Sequence, residues 1–269
     1  MMPERDFPLW ISHNLDIRTV VVRGKLILRE PLRVGAGRKT NLYSLSDLPV
    51  LKLHMGEEEI PVIPGSSWKG VFRSHVERIL KTIGANVCGG VPGTTCFERG
   101  TPNLIRIIDK LLRHPSEENK ERVLREIWKR TCLSCKIFGG QGYLSHVSFS
   151  DSYPVKSDGR YLYSINVKTG IAIDRRSGAV RRGALYTIEF VEPGSVFNFR
   201  LAMKNLPNYA MGLIAWTLLD IWEGNVRVGG FKSRGFGWVE FSDISCEVSP
   251  EIYLKKENEE KGVLIGITD

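Results

Sequence analysis

Residues 63–84 read IPGSSWKGVFRSHVERILKTIG, and how this segment folds decides the architecture on either side of it. Pro64-Gly65 breaks any preceding strand and Ser66 is placed to cap a helix. Phe72, Val76, Ile79, Leu80 and Ile83 then recur at helical spacing, which predicts one long amphipathic helix. Lys69, Arg73, Glu77 and Lys81, four residues apart, form a largely basic stripe beside the apolar face. The first turn, with Ser66, Ser67 and Lys69, offers backbone N–H groups of the kind that bind a phosphate.

Upstream, TVVVRGKLILR (residues 19–29) is β-branched and apolar with charges on one face, a strand, and a Gly-rich basic loop follows it. Downstream, residues 84–140 read as an insertion with a Gly/Cys loop, two short helical patterns and the closing segment TCLSCKIFGGQG. Strands return at HVSFSDS, then a basic arm from Val155 to Arg182, then ALYTIEFV and SVFNFRLAMK. Pro207 opens the most apolar helix, which Gly224 is placed to terminate, and GFGWVEFSDISCEV is a last strand. KKENEEKG near the end is a polar linker or frayed tail. Without the insertion the order is strand, helix, strand, strand, helix, strand. That is an α+β, ferredoxin-like (RRM-like) pattern. The aromatic signature of RNA-recognition modules on a central strand is not legible, and no internal repeat is present.

Composition narrows the class. The 269 residues are 42% hydrophobic and 25% charged, as in a globular protein able to bury a core. No apolar run approaches the ~20 residues that span a bilayer. The N-terminal MMPERDFPLW lacks the apolar stretch of a signal peptide, so the expected location is the cytoplasm, with no membrane partner. A net charge of +8 and a pI near 9.3 favour a polyanionic partner. RRSGAVRR places Arg175, Arg176, Arg181 and Arg182 close together. A single glutamine, Gln141, points toward a thermophilic source.

Chemistry-bearing residues are few. Cys132 and Cys135 form a C-x-x-C pair, with Cys88 and Cys96 upstream, which reads as a structural Zn²⁺ site. His75 or His114 is an alternative ligand, and disulfides remain open for a thermophilic protein. Cys246, alone on a strand, is expected in the core. The histidines show no triad or metal spacing, and no phosphate loop of the ATPase type is present. Asp47, in SLSDLPVLKL, sits in a turn-prone segment where an aspartate commonly bonds its own backbone. GGFKSRGFGWVEF (residues 229–241) surrounds Lys232 and Arg234 with four glycines, a backbone-lined cationic loop suited to phosphate.

Four segments, in order, resemble the RAMP superfamily of CRISPR-associated RNA-binding proteins, and within it the repeated backbone subunit of type III effector complexes. They are PVIPGSSWKGVFRSHVE, CLSCKIFGG, GIAIDRRSGAVRRGALYTIEFVEPGSVF and GGFKSRGFGWVEF, and the likeness runs from about residue 19 to residue 248. The resemblance implies a single domain over 1–269. It would comprise a ferredoxin-like palm, a helical, zinc-binding lid at 84–140 and a β-hairpin thumb arm at 155–190, with its tip between Ile171 and Arg182. It implies several copies self-associating along a CRISPR guide RNA, other effector subunits, and a complementary target RNA. On this basis the glycines let the last loop approach an RNA backbone. The RNA-binding candidates are Arg33, Arg38, Lys39, Ser66, Ser67, Lys69, Arg73, Lys168, Arg175, Arg176, Lys232 and Arg234. Asp47 falls where the family carries the aspartate that supports metal-dependent target cleavage, with Mg²⁺ or another divalent ion. Leu48 departs from the family's small polar residue there. The alternatives are a scaffold that binds guide without cutting, and a metal-independent repeat-processing endoribonuclease.

Overall fold

The computed structural model describes residues 7–35, 46–249, 253–254 and 263–264. Its strands are β1 (Thr19–Leu28), β2 (Lys52–Met55), β3 (Glu58–Pro61), β4 (Val147–Phe149), β5 (Lys156–Ser157), β6 (Arg160–Tyr161), β7 (Ile165–Ile173), β8 (Val180–Val191), β9 (Val196–Lys204), β10 (Val239–Ser249), β11 (Tyr253–Leu254) and β12 (Val263–Leu264). The helices are α1 (Gly65–Thr82), α2 (Leu104–Leu112), α3 (Glu117–Arg130), α4 (Leu133–Phe138) and α5 (Asn208–Trp222). The main sheet is antiparallel throughout, in the order β10-β1-β9-β4. It is a mixed α/β fold.

β1 is the central strand because its alternation buries Val20, Val22, Leu26 and Leu28 while paired on both sides. The register shifts between Arg23 and Lys25, where a side chain on Gly24 would stand 3.0 Å from the Ser242 carbonyl oxygen. The extra residue is on β10, between Ser242 and Ser245, where Asp243 takes φ +52°, so the alternation of β1 runs unbroken past the bulge. Helices α1 and α5 pack on each other and on the sheet. Trp68 and Phe72 are fully buried there, with ring centroids 5.2 Å from Phe199 and 4.7 Å from Phe149 respectively. The Trp68 indole N–H donates to Ser152 Oγ at 2.9 Å, so its one polar atom is satisfied. Trp10, in a short 3₁₀ turn at Leu9–Ile11, is also fully buried in this core, although nothing in MMPERDFPLW signals it.

Two local expectations are corrected. Helix α1 starts at Gly65, one residue before the expected cap, with Pro64 as N-cap. A side chain at Gly65 would meet the Phe149 carbonyl oxygen at 2.2 Å, so the chain enters the helix on a glycine. Asp151 Oδ1 accepts the Gly65 N–H at 2.7 Å in place of a serine cap. Cys246 is exposed rather than buried. It lies on the edge strand β10, every residue of which from Asp243 to Ser249 is exposed, beyond the reach of the covering helices.

The insertion has its own small core. Phe97, Leu104, Ile108, Val123 and Ile127 from α2, α3 and the loop before them pack with Phe7, Ile11, Cys88, Cys135 and Tyr143. The Asn103 and Ser116 side chains cap α2 and α3. Strands β7 and β8 form a separate antiparallel hairpin, from Ile165↔Val191 outward. KKENEEKG lies outside the described residues.

Candidate RNA interface and cysteine centre

The glycine-rich loop closes on itself before it offers anything to a ligand. The Val228 N–H donates to Gly237 O at 2.9 Å, and the Gly230 N–H to Arg33 O at 2.8 Å. Gly229 has φ +78°, and a side chain there would stand 2.5 Å from the Arg33 carbonyl oxygen. Gly237 has φ +95°, and its side chain would stand 2.2 Å from the Val228 carbonyl oxygen. These two glycines are required by the protein's own backbone, which corrects the expectation that all four serve approach by RNA. Gly235, at φ +74° with open space around it, is the one facing outward.

Between them a 3₁₀ turn, Lys232–Arg234, exposes both cations. Two cations meet the Phe231 ring: the Arg33 and Arg234 guanidinium carbons lie 5.5 and 5.4 Å from its centroid. Stacking of this kind fixes two arginines that would otherwise lose rotamer freedom on meeting phosphate. Arg234 Nη1 also donates to Tyr186 Oη at 2.9 Å, which ties the loop to β8. The Tyr186 ring lies over Gly170 of β7, where a Cβ would stand 2.4 Å from Tyr186 Cζ.

Asp47 is bound to the next residue of the same strand. Its Oδ2 accepts the Thr187 N–H at 2.7 Å and the Thr187 hydroxyl at 3.0 Å, and Ser46 Oγ donates to Thr187 O at 3.0 Å. These bonds hold the exposed Asp47 carboxyl below the usual carboxylate range, with the Thr187 N–H contributing most. The carboxyl also draws on Asp47's own backbone N–H, and the residue is exposed to solvent. Arg33 reaches from the glycine loop to this segment, donating from Nε to Leu48 O at 3.2 Å. Glu189 fixes the far side through the Val50 N–H at 2.8 Å and Lys52 Nζ at 2.6 Å. Tyr186 and Thr187 project to opposite faces of the hairpin, so the glycine loop grips one face and Asp47 sits at the other. Tyr186, Thr187 and Phe231 were not singled out from sequence. Only the pairing of distant segments gives them a role.

The remaining candidates are dispersed. Arg175 and Arg176 are exposed at the hairpin tip, where Asp174 Oδ1 accepts the N–H groups of Arg176 and Ser177 and Gly178 takes φ +67°. Lys168 is exposed on β7. Ser66 and Lys69 line a separate cavity of about 610 Å³ with His13, Ser148 and Lys204. Burial and the neighbouring Arg73 lower the Lys69 pKa. Ser67 lies on the same turn, its N–H bonded to Pro64 O at 2.9 Å. Arg38 and Lys39 lie outside the described residues. Arg73 is turned away from these groups, against the cysteines.

The four cysteines of the insertion converge, with their sulfurs all within 4.8 Å of one another. Cys88 and Cys135 Sγ are 3.4 Å apart, and Cys132 and Cys88 Sγ 3.9 Å. Tetrahedral ligation with metal–sulfur bonds of about 2.3 Å would set the sulfurs about 3.8 Å apart, so the set fits a four-thiolate metal centre. The same spacing is far beyond a disulfide bond, and all four are free thiols. Hydrogen bonds from Cys135 and Cys96 push the Cys132 thiol down. Bonding to Cys132 pushes the Cys96 thiol up to about 11. Neither histidine alternative joins the group. His75 bonds Thr217 Oγ1 at 3.1 Å and Asp220 Oδ2 at 2.9 Å, and His114 is absent from the cluster.

The fold and these two centres define a mixed α/β protein with a cationic, hairpin-bearing surface, and residues 25–240 match the RAMP superfamily. The chain belongs to that superfamily. It is similar to the CRISPR system Cms endoribonuclease Csm3 of Methanocaldococcus jannaschii, at 27% identity over 259 residues, covering 92% of this chain and 89% of that protein. The proteins of the same name from Enterococcus italicus and Methanothermobacter thermautotrophicus are each 22% identical, covering 81% and 89% of this chain and 87% and 90% of their own lengths. Among solved structures, one chain of the type III-B Cmr-beta complex bound to cognate target RNA aligns with a TM-score of 0.48 at 15% identity. That alignment covers 86% of this chain and 61% of the other.

Proposed function

We propose that this protein is a guide-RNA-binding backbone subunit of a type III CRISPR effector complex that stacks along the RNA and cleaves complementary target RNA at Asp47. The observation that carries the reading is the exposed Asp47 carboxylate, fastened through Oδ2 to the N–H and hydroxyl of Thr187, midway along the β7–β8 hairpin. A single ionised carboxylate suits a hydrated divalent ion completed by RNA phosphate, the way Mg²⁺ is commonly held. In that arrangement Asp47 would position the ion, and the ion would polarise the phosphodiester and stabilise charge on its oxygens. Arg33, Lys232 and Arg234 supply the sequence-independent backbone contacts, and Arg175 and Arg176 act at the thumb tip. Sequence recognition is left to base pairing, as in other guided systems.

The main sheet and its two helices are read as a ferredoxin-like palm. The strand order β10-β1-β9-β4, with α1 between β1 and β4 and α5 between β9 and β10, supports that reading. Residues 84–140 are the lid, and the hairpin within 155–190 is the thumb. Zn²⁺ is the proposed occupant of the cysteine centre, on the strength of four thiols at tetrahedral spacing. The proposed location is the cytoplasm, and no helix among the described residues is long and apolar enough to cross a membrane.

The test is single-turnover cleavage of target RNA by the guide-loaded complex carrying Asp47→Asn, an isosteric change that removes the charge. Loss of Mg²⁺-dependent cutting with guide and target binding intact is expected. Undiminished cutting would leave the chain a non-catalytic scaffold.

A further inference from the structure

Arg73 lies on the basic stripe of α1 and reads from sequence as a phosphate contact, yet its guanidinium is committed elsewhere. Nη2 donates to Cys135 Sγ at 3.4 Å, Nη1 to Gly139 O at 3.2 Å, and Nε to Glu77 Oε1 at 2.9 Å. The side chain is 23% exposed and that of Glu77 14%. The same Glu77 oxygen accepts the hydroxyl of fully buried Ser134 at 2.8 Å. Two residues of α1 thus hold three residues of the 134–139 segment, which carries one of the four thiols. Four thiolates around a divalent ion leave a net charge of about −2, which needs cationic neighbours when half-buried. Lys136 has its Nζ 3.9 Å from the Trp128 ring centroid. Arg99, Lys129 and Arg130 line the cavity beside Cys88, Cys96 and Cys132, whereas Arg73 bonds a cysteine sulfur directly.

We propose that Arg73 is the charge partner of the four-cysteine centre, not an RNA contact, and that through it metal binding clamps the insertion onto α1. The proposal rests on the reading of the four thiols as a metal site. Arg73 would act as a positioning residue: its N–H···S bond stabilises thiolate over thiol, and its bond to Gly139 O fixes the chain that follows α4. Neighbours of this kind are worth roughly tenfold or more in metal affinity. The glutamate works against the arginine electrostatically, because its carboxylate offsets the positive charge presented to the sulfurs.

The experiment titrates the full-length apoprotein with Co²⁺, following the thiolate-to-metal charge-transfer absorption, and then displaces Co²⁺ with Zn²⁺. Wild type, Arg73→Gln and Glu77→Gln are compared, and RNA affinity is measured against salt for each. Arg73→Gln is expected to weaken metal binding about tenfold while keeping the wild-type salt slope. Glu77→Gln is expected to bind metal at least as tightly as wild type. Equal affinity of Arg73→Gln and wild type would overturn the proposal. So would matching losses in both variants, the mark of a purely structural latch. A salt slope reduced by about 0.7–0.9 in Arg73→Gln would make it a phosphate contact after all. Should Arg73→Gln fail to fold, Glu77→Gln decides alone, and weaker metal binding there counts against the charge role. Absence of the absorption in wild type would overturn the metal reading itself, and this proposal with it.

Discussion

Gly237→Ala separates what the glycine-rich loop does for the protein from what it does for RNA. At φ +95° an L side chain is strained, by about 1–2 kcal/mol for left-handed backbone. The added Cβ would also stand 2.2 Å from the Val228 carbonyl oxygen and 3.0 Å from the Val228 nitrogen, so the Val228–Gly237 pairing must open. Overpacking of this kind costs about 1–3 kcal/mol, for a total near 3 kcal/mol. Gly235→Ala is the control. At φ +74° with no atom within 4 Å it has only the backbone strain, partly offset by reduced freedom of the unfolded chain. About 1 kcal/mol is expected there. Urea unfolding of the isolated chain reads both. At a slope near 3 kcal/mol per molar, Gly237→Ala should lower the midpoint by about 1 M, and Gly235→Ala by about a third of that. At temperatures where both remain folded, Gly235→Ala should weaken RNA binding more. Wild-type stability in Gly237→Ala, with RNA affinity lost, would refute the argument and return all four glycines to the RNA.

Lys232→Ala with Arg234→Ala should weaken RNA binding across unrelated sequences and reduce the salt slope by about 1.5, read from affinities over a range of salt. An unchanged slope would remove the loop from the interface. Thr187→Val deletes the hydroxyl bonded to Asp47 Oδ2 and lets the carboxyl rise toward its ordinary range. Because the ionised form is the working one, the acid limb of the cleavage profile should move to higher pH, and an unmoved limb would contradict the assignment. His146 is buried against Tyr143 Oη at 2.7 Å, and its pKa is pushed down to about 3, first by burial and then by the stacked His13. It stays neutral in the fold and protonates near pH 6.5 when unfolded, so its contribution is full above that value and is lost as pH falls toward 3. Urea midpoints of wild type should fall through that window more steeply than those of His146→Gln.

Much of the main sheet and its helices was legible because their signals are local. The period-two alternation of β1, the 3.6-residue period of α1 and the Gly224 stop of α5 each lie within one segment, and all three match the structure. Gly224 takes φ +78° just past the helix end. What could not be read depends on segments distant in sequence. Ser66 looked like a cap, but Asp151 does the capping from the far side of the insertion. Cys246 looked buried on an alternating strand, but burial requires a covering helix and an edge strand can outrun it. Arg73 sat on a basic stripe at the right spacing, and only the return of the 134–139 segment shows what it meets. The cysteines were legible as a group because thiol chemistry at C-x-x-C spacing is restrictive. Asp47 and Thr187, 140 positions apart, have no mutual signal in one sequence.

The most direct measurement mixes wild-type and Asp47→Ala subunits in known ratios before assembly on one guide RNA, then maps cuts in labelled target RNA with Mg²⁺ present. If each copy holds its own segment of RNA and cuts with its own Asp47, the cuts are regularly spaced and every one falls in proportion to the wild-type fraction. Cutting that is unaffected by the Asp47→Ala fraction, or confined to one position whatever the ratio, would contradict the account.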